Sequence, residues 1–287
     1  MRSRLNCFSR QELVTQWTEL RQAEPHLRMR NAADKIGVSE AAMVWSGAGY
    51  EAVEELDNSR FSSLIGKLAK MGGWMYLVRN DHAVLEHDLS CAEMSNGVGE
   101  IELSARGFSL QIETGRVGKI YLTHATKGPR RMIQIFDTSG VAIAKVVLKD
   151  ANRLKSLPDT FGDGLIPVGN EMPVFQEPAI VAKAKEKDLD PSLIGVSSDS
   201  YVSIFETAVV NQTKVTLSVE NAAARMSVSH LPKRLEVMGP WFNILDRGFN
   251  LHLMESGVES AYRNQTSEGS IYRFYDSEGN LILTLTI

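Results

Sequence analysis

The run Gly239-Pro240-Trp241-Phe242-Asn243-Ile244-Leu245-Asp246-Arg247-Gly248-Phe249-Asn250-Leu251-His252-Leu253 gathers more potential chemistry than any other stretch of this chain. Two asparagines, an aspartate and a histidine are interleaved with three aromatic rings. Side chains alternate along a β-strand. A strand over 249–253 therefore turns Phe249, Leu251 and Leu253 to a core and leaves Asn250 with His252 on the opposite face, open to a cavity. A neutral imidazole placed there is a potential metal ligand. The other histidines are His26, His82, His87, His124 and His230, and none is set four residues from a carboxylate on a helix. A lone strand histidine is more often packed than ligating. No Gly-rich phosphate loop, nucleophile elbow or zinc-type Cys/His spacing occurs. Cys7 and Cys91 make neither a metal motif nor a disulfide framework.

These residues need elements to hold them. Ser9-Arg10-Gln11-Glu12 is a capping box, predicting a helix to about Glu24 with Leu13, Trp17 and Leu20 on one face. Further helices are predicted over 30–36, closed by Gly37, and from Ser39. Their spacing resembles a helix-turn-helix, but non-basic flanks favour two packed core helices. Arg60 to Met71 carries Phe61, Leu64, Ile65 and Leu68 on one stripe and ends at Gly72-Gly73. Strands are predicted at 74–79, 82–87, 100–105, 108–113, 119–124, 131–136 and 141–148, an antiparallel meander. Asp150 to Leu157 and Ala179 to Leu189 read as helices, and Gly162 to Glu177, with Pro167 and Pro173, as a linker. Ser200 to Val210 reads as a helix, with seven strands following from near Lys214.

The chain is also written twice. Phe136-Asp137-x-x-Gly140 and Tyr275-Asp276-x-x-Gly279 each sit between two strands, at a shared offset of 139. Asn80 and Asn221 each follow one apolar strand and precede another, at an offset of 141. A period this long exceeds any solenoid unit and implies a duplicated domain. The fold class is α+β, each repeat a helical cap followed by an antiparallel sheet. Composition bounds the rest. A net charge of −4 argues against nucleic acid as a partner. No stretch approaches the ~20 apolar residues of a membrane span. The N-terminus lacks the apolar core of a secretory signal, so a cytoplasmic location is expected.

Residues 239–253 resemble the Gly-Pro-Trp-x-Asn-Val-Leu-Asp-x-x-Phe-Asn-Leu-His-Leu segment of the bacterial haemin-degrading factor family, the HemS-like cytoplasmic haem carriers. Phe274 to Ile287 resembles the strand, Phe-Asp-x-x-Gly turn and last strand that close that family's second half. Val38-Ser39-Glu40-Ala41, Val78-Arg79-Asn80 with Ala83-Val84-Leu85-Glu86, and Ile133-Gln134-Ile135-Phe136-Asp137 with Lys145-Val146 resemble its first half. The likeness spans about residues 28–287. It implies four segments: an N-terminal helix (1–27), a first repeat (28–158), a linker with a short helix (159–198) and a shortened second repeat (199–287). It also implies haem in an apolar cleft, arginine or lysine on the propionates and a histidine on iron.

The chain departs from the family at three places. The linker, where the family's iron-ligating histidine lies on a helix, contains no histidine between Gly162 and Ser198. Ser104 stands where the family has an arginine, in Ile101-Glu102-Leu103-Ser104. A Val-Arg-Lys-Pro hairpin is trimmed, with Arg263 its remnant. Three accounts stay open: another histidine, such as His87, His124, His230 or His252, ligates iron, a tetrapyrrole binds without ligation, or the fold serves as a scaffold or interaction module. The leading expectation is a haem or tetrapyrrole carrier for uptake, storage or delivery. His124 and His252 are the iron candidates, and Arg79, Arg130, Arg131 and Arg263 the propionate candidates. The expected partners are haem and a haem-import or haem-acceptor protein, with a homodimer through a sheet edge or the N-terminal helix compatible. No catalytic base or nucleophile emerges, so any haem breakdown would rest on the cofactor's own redox chemistry.

Overall fold

A computed structural model describes residues 8–126, 131–149, 161, 164–176, 193–267 and 269–287. The helices expected at 150–157 and 179–189, and Arg130, lie outside the described residues. In chain order the helices are α1 (Arg10–Ala23), α2 (Met29–Ile36), α3 (Glu40–Ser46), α4 (Phe61–Met71) and α5 (Ser200–Asn211). The first strands are β1 (Tyr50–Leu56), β2 (Trp74–Arg79), β3 (Ala83–Leu89), β4 (Glu93–Asn96), β5 (Glu100–Ala105), β6 (Phe108–Glu113), β7 (Val117–Ala125), β8 (Arg131–Asp137), β9 (Ala142–Leu148) and β10 (Leu165–Pro167). The remaining strands are β11 (Ile194–Val196), β12 (Val215–Glu220), β13 (Ala224–His230), β14 (Leu235–Met238), β15 (Trp241–Asp246), β16 (Phe249–Met254), β17 (Ser260–Thr266), β18 (Gly269–Tyr275) and β19 (Leu281–Thr286). Among the described residues no helix is long and apolar enough to cross a membrane.

Two compact units result, residues 1–68 with 116–179 and residues 69–115 with 180–287. In the first, α1–α3 cover one face of the antiparallel run β10-β1-β7-β8-β9. The Ser9–Glu12 capping box starts α1 as the sequence predicts. Leu13, Met43, Trp45, Tyr121 and Phe136 fill the core between helices and sheet. Gln134, fully buried, donates to Tyr50 Oη and Thr123 Oγ1, both at 3.0 Å, while its own Oε1 and the Tyr121 hydroxyl are buried without a hydrogen-bond partner. The expected linker contributes structure of its own. β10 pairs with β1, and Gly169 O accepts the Trp45 indole N–H at 2.9 Å.

The second unit holds two sheets, β14-β15-β16-β3-β2 and β11-β17-β18-β19-β12-β13-β6-β5-β4. Eight strands, not seven, follow residue 214, because Leu235–Met238 forms a short edge strand. The meanders β7-β8-β9 and β17-β18-β19 are plain, but the hairpins around them are exchanged between repeats. β3 pairs with β16, and β13 pairs with β6. Leu85 faces Leu251 and Met226 faces Leu110, each residue replaced by its counterpart at offset 141.

The repeated turns have identical wiring. Asp137 Oδ1 accepts the backbone N–H of Ser139 and Val141, and Asp276 Oδ1 accepts those of Glu278 and Asn280. Gly140 and Gly279 both take left-handed backbone, φ 83° and 81°, which favours glycine. Asn80 Oδ1 caps the N–H groups of His82 and Ala83, and Asn221 Oδ1 those of Ala223 and Ala224. The two hairpins also clasp each other. Asn80 Nδ2 donates to Glu220 O at 3.1 Å, and Asn221 Nδ2 donates to Arg79 O at 2.9 Å.

Candidate functional site

The Gly239–Leu253 run forms the β15–β16 hairpin. Phe249, Leu251 and Leu253 are buried as the alternation predicts, and Asn250 with His252 take the other face, half-buried. Opposite residues in an antiparallel pair share a face. Across β2-β3-β16-β15-β14, Arg79 therefore lines up with Val84, His252, Asn243 and Glu236. The adjacent row is Leu77, Glu86, Asn250 and Leu245. Met75, Met254 and Trp241 extend the same face, each half-buried. The face thus interleaves apolar and polar side chains.

The polar groups are held in place. Asn250 Nδ2 donates to Glu86 Oε2 at 2.9 Å. His252 Nδ1 lies 2.6 Å from Asn243 Oδ1, and Asn243 is 3% exposed. Arg79 stands two strands from His252, roughly 10 Å at the usual strand spacing. Glu86 and Asp88 lie on the same face away from Arg79, and Glu236 stands at the β14 end of the Arg79 row.

The remaining expected residues fall elsewhere. His124 and Arg131 are cross-strand neighbours on β7 and β8 of the first unit. His124 Nε2 sits 3.3 Å from Glu54 Oε2 without hydrogen-bond geometry. Arg263, on β17, pairs with Tyr272, which continues the line to Leu285 and Leu217 on the core face of the nine-stranded sheet. Its Nε is buried without a hydrogen-bond partner, and the line does not contain Arg79 or His252. Ser104 lies exposed on the polar face of that sheet. The row there runs through Ser109, Ser227, Ser218 and Thr284 to Arg273.

A second histidine cluster lies inside the second unit. The His230 ring stacks on Phe249 at 4.0 Å, and its Nε2 contacts Asp246 Oδ2 at 2.7 Å. His87 stacks on Phe108 at 5.5 Å, with Nδ1 buried and lacking a hydrogen-bond partner. Burial, and then the neighbouring His230, hold the His87 pKa below the ordinary 6.5. The sequence reading passed over Asn243. A two-residue turn at Arg247-Gly248 brings Asp246 opposite Phe249, and counting back three pairs brings Asn243 opposite His252. That register was available from the sequence.

The architecture defines a class: a duplicated α+β protein whose repeats exchange hairpins and present an amphipathic sheet face bearing a histidine. The chain belongs to the haemin-degrading HemS/ChuX domain family, whose sequence profile matches residues 37–159 and 191–286. The hemin transport protein HmuS of Yersinia pestis is 22% identical over 302 residues, covering 90% of this chain and 86% of that protein. The structure of holo-PhuS, a heme-binding protein from Pseudomonas aeruginosa, superposes with a TM-score of 0.79 at 23% identity, covering 97% of this chain and 93% of that one. The heme degrading enzyme ChuS of Escherichia coli O157:H7 superposes with a TM-score of 0.79 at 19% identity, covering 96% and 93%. At these identities the structural likenesses carry the fold.

Proposed function

We propose that this protein binds haem and carries it between haem-utilisation partners, with His252 as the iron ligand and Arg79 as the propionate partner. The observation that carries the reading is the row Arg79–Val84–His252–Asn243, which places cation, apolar floor and oriented imidazole on one face. Family membership and the names of the relatives, a hemin transport protein and a heme-binding protein, support haem as the cargo.

The chain's own residues do three things for that cargo. Val84, Leu77, Leu245, Trp241 and Met254 exclude water from one face of an apolar macrocycle. Arg79 offers charge-assisted hydrogen bonds to carboxylates, while Glu86 and Asp88 repel them, so the propionates point toward Arg79. His252 would hold the iron through a ring nitrogen. Bound haem would supply its own redox chemistry, and we read the protein as a carrier rather than an enzyme.

His124, Arg131 and Arg130 belong to the alternative in which the first unit holds the cargo, and Arg263 to one on the nine-stranded sheet. We further propose repeats at 28–158 and 199–287, a cytoplasmic location and a haem-import or haem-acceptor partner; the family assignment supports these. A haemin titration tests the core of the reading. A saturable Soret band that His252→Ala shifts and His124→Ala leaves in place is the expected result. A band shifted only by His124→Ala moves the cargo to the first unit.

A further inference from the structure

The duplication places a counterpart of the His252 face on the nine-stranded sheet. Strands β12-β13-β6-β5-β4 repeat the order and register of β2-β3-β16-β15-β14, shifted by 141 residues. The row Arg79–Val84–His252–Asn243 becomes Glu220–Arg225–Gln111–Glu102. The neighbouring row Leu77–Glu86–Asn250–Leu245 becomes Ser218–Ser227–Ser109–Ser104. Trp241 and Met254, paired across the first hairpin, become Glu100 and Glu113, paired across the second. One backbone arrangement therefore carries two different chemistries.

We propose that the chain takes haem on one of these faces only, and that Glu100, Gln111, Glu113 and Glu220 are the residues that bar the other. The inference rests on the function proposed above. An apolar macrocycle gains from covering Trp241, Met254, Leu77 and Leu245, whereas covering Glu100 and Glu113 strips water from two carboxylates. Glu220 repels propionates where Arg79 attracts them. Gln111 offers a neutral amide in place of an imidazole, the ligand type that suits iron. The second face also stays wet. Glu100, Gln111, Glu113 and Arg225 are exposed, whereas Trp241, His252 and Met254 are half-buried and Val84 is buried. The cavity lined by Glu100, Gln111, Glu113, Glu220 and Arg225 measures about 240 Å³, under the roughly 300 Å³ at which ligand pockets usually start. Arg225 Nε lies 3.8 Å from Glu220 Oε2, so the cation on this face already has a carboxylate beside it.

The test counts haemin per chain. Haemin is titrated into the full chain at protein concentrations far above the dissociation constant, and Soret absorbance is plotted against equivalents added. The expected wild-type curve breaks at one equivalent. Ser109→Trp, which obstructs the second face, should change neither the break nor the affinity. The quadruple variant Glu100→Trp, Gln111→His, Glu113→Met, Glu220→Arg gives the second face the side chains of the first and should move the break to two equivalents. A wild-type break at two equivalents overturns the proposal. So does a single equivalent that Ser109→Trp abolishes, or a quadruple variant with an unchanged urea midpoint that still breaks at one. If the quadruple variant does not fold, the wild-type count and Ser109→Trp decide. A wild type with no saturable band removes the carrier reading and this inference with it, whereas a break at two equivalents removes this inference and leaves that reading standing.

Discussion

Arg79 and His87 sit on opposite faces of the same hairpin and make opposite demands on charge. Arg79, half-buried on the His252 face, should contribute one charge-assisted interaction with a propionate, about 1.5 kcal/mol, so Arg79→Ala should weaken haemin binding roughly tenfold without moving the Soret band. Equilibrium titration checks both. His87 lies between aromatic rings, and its folded pKa is depressed below 6.5. The unfolded chain therefore binds the proton first as pH falls, and stability contributed by the neutral ring is lost from about pH 6.5 downward. Urea unfolding at pH 7.5 and pH 5.5 should show a drop that His87→Phe reduces. The alternation of 249–253 was enough to place His252 on the half-buried face opposite the core. It did not rank His252 against His124. That ranking depends on what each ring nitrogen meets, Asn243 in one case and Glu54 in the other, across strands far apart in sequence.

The elements owe their pairing to turns that recur along the chain. Asn80 satisfies two hairpin N–H groups and two carbonyls of the opposite repeat, Glu220 O and Ile282 O. Asn80→Ala should cost about 2 kcal/mol, since it strands several partly buried groups at once. Asn221→Ala should cost a similar amount for the same reason, read as matched shifts of the urea midpoint. Both turns were legible because Asn and Asp-x-x-Gly mark such bends locally. The hairpin exchange was not. Arg106-Gly107-Phe108 and Arg247-Gly248-Phe249 make the same turn, so β3 meets an equivalent apolar partner in either repeat, and periodicity cannot choose. β1 went unread for another reason. Glu54 and Glu55 disguise its alternation, and the folded chain offsets them with His124 and Lys119 on β7.

For the molecule as a whole, duplication gave two equivalent sets of strands but unequal surroundings. In the first unit a helical cap buries one face of the sheet; in the second, the face carrying His252 stays half-exposed. The duplication was visible from two anchors at nearly equal offsets, whereas this inequality depends on packing that no local pattern records. Cargo held on the folded face should stabilise the whole chain. Haemin at a hundredfold excess over its dissociation constant should add about 2.7 kcal/mol to the unfolding free energy, seen as a raised melting temperature. The most direct test of the central claim is a haemin absorbance titration of the purified protein beside His252→Ala and His124→Ala. The account predicts a saturable Soret band that moves only in His252→Ala. A wild type with no saturable band would contradict it and assign the fold to a scaffold.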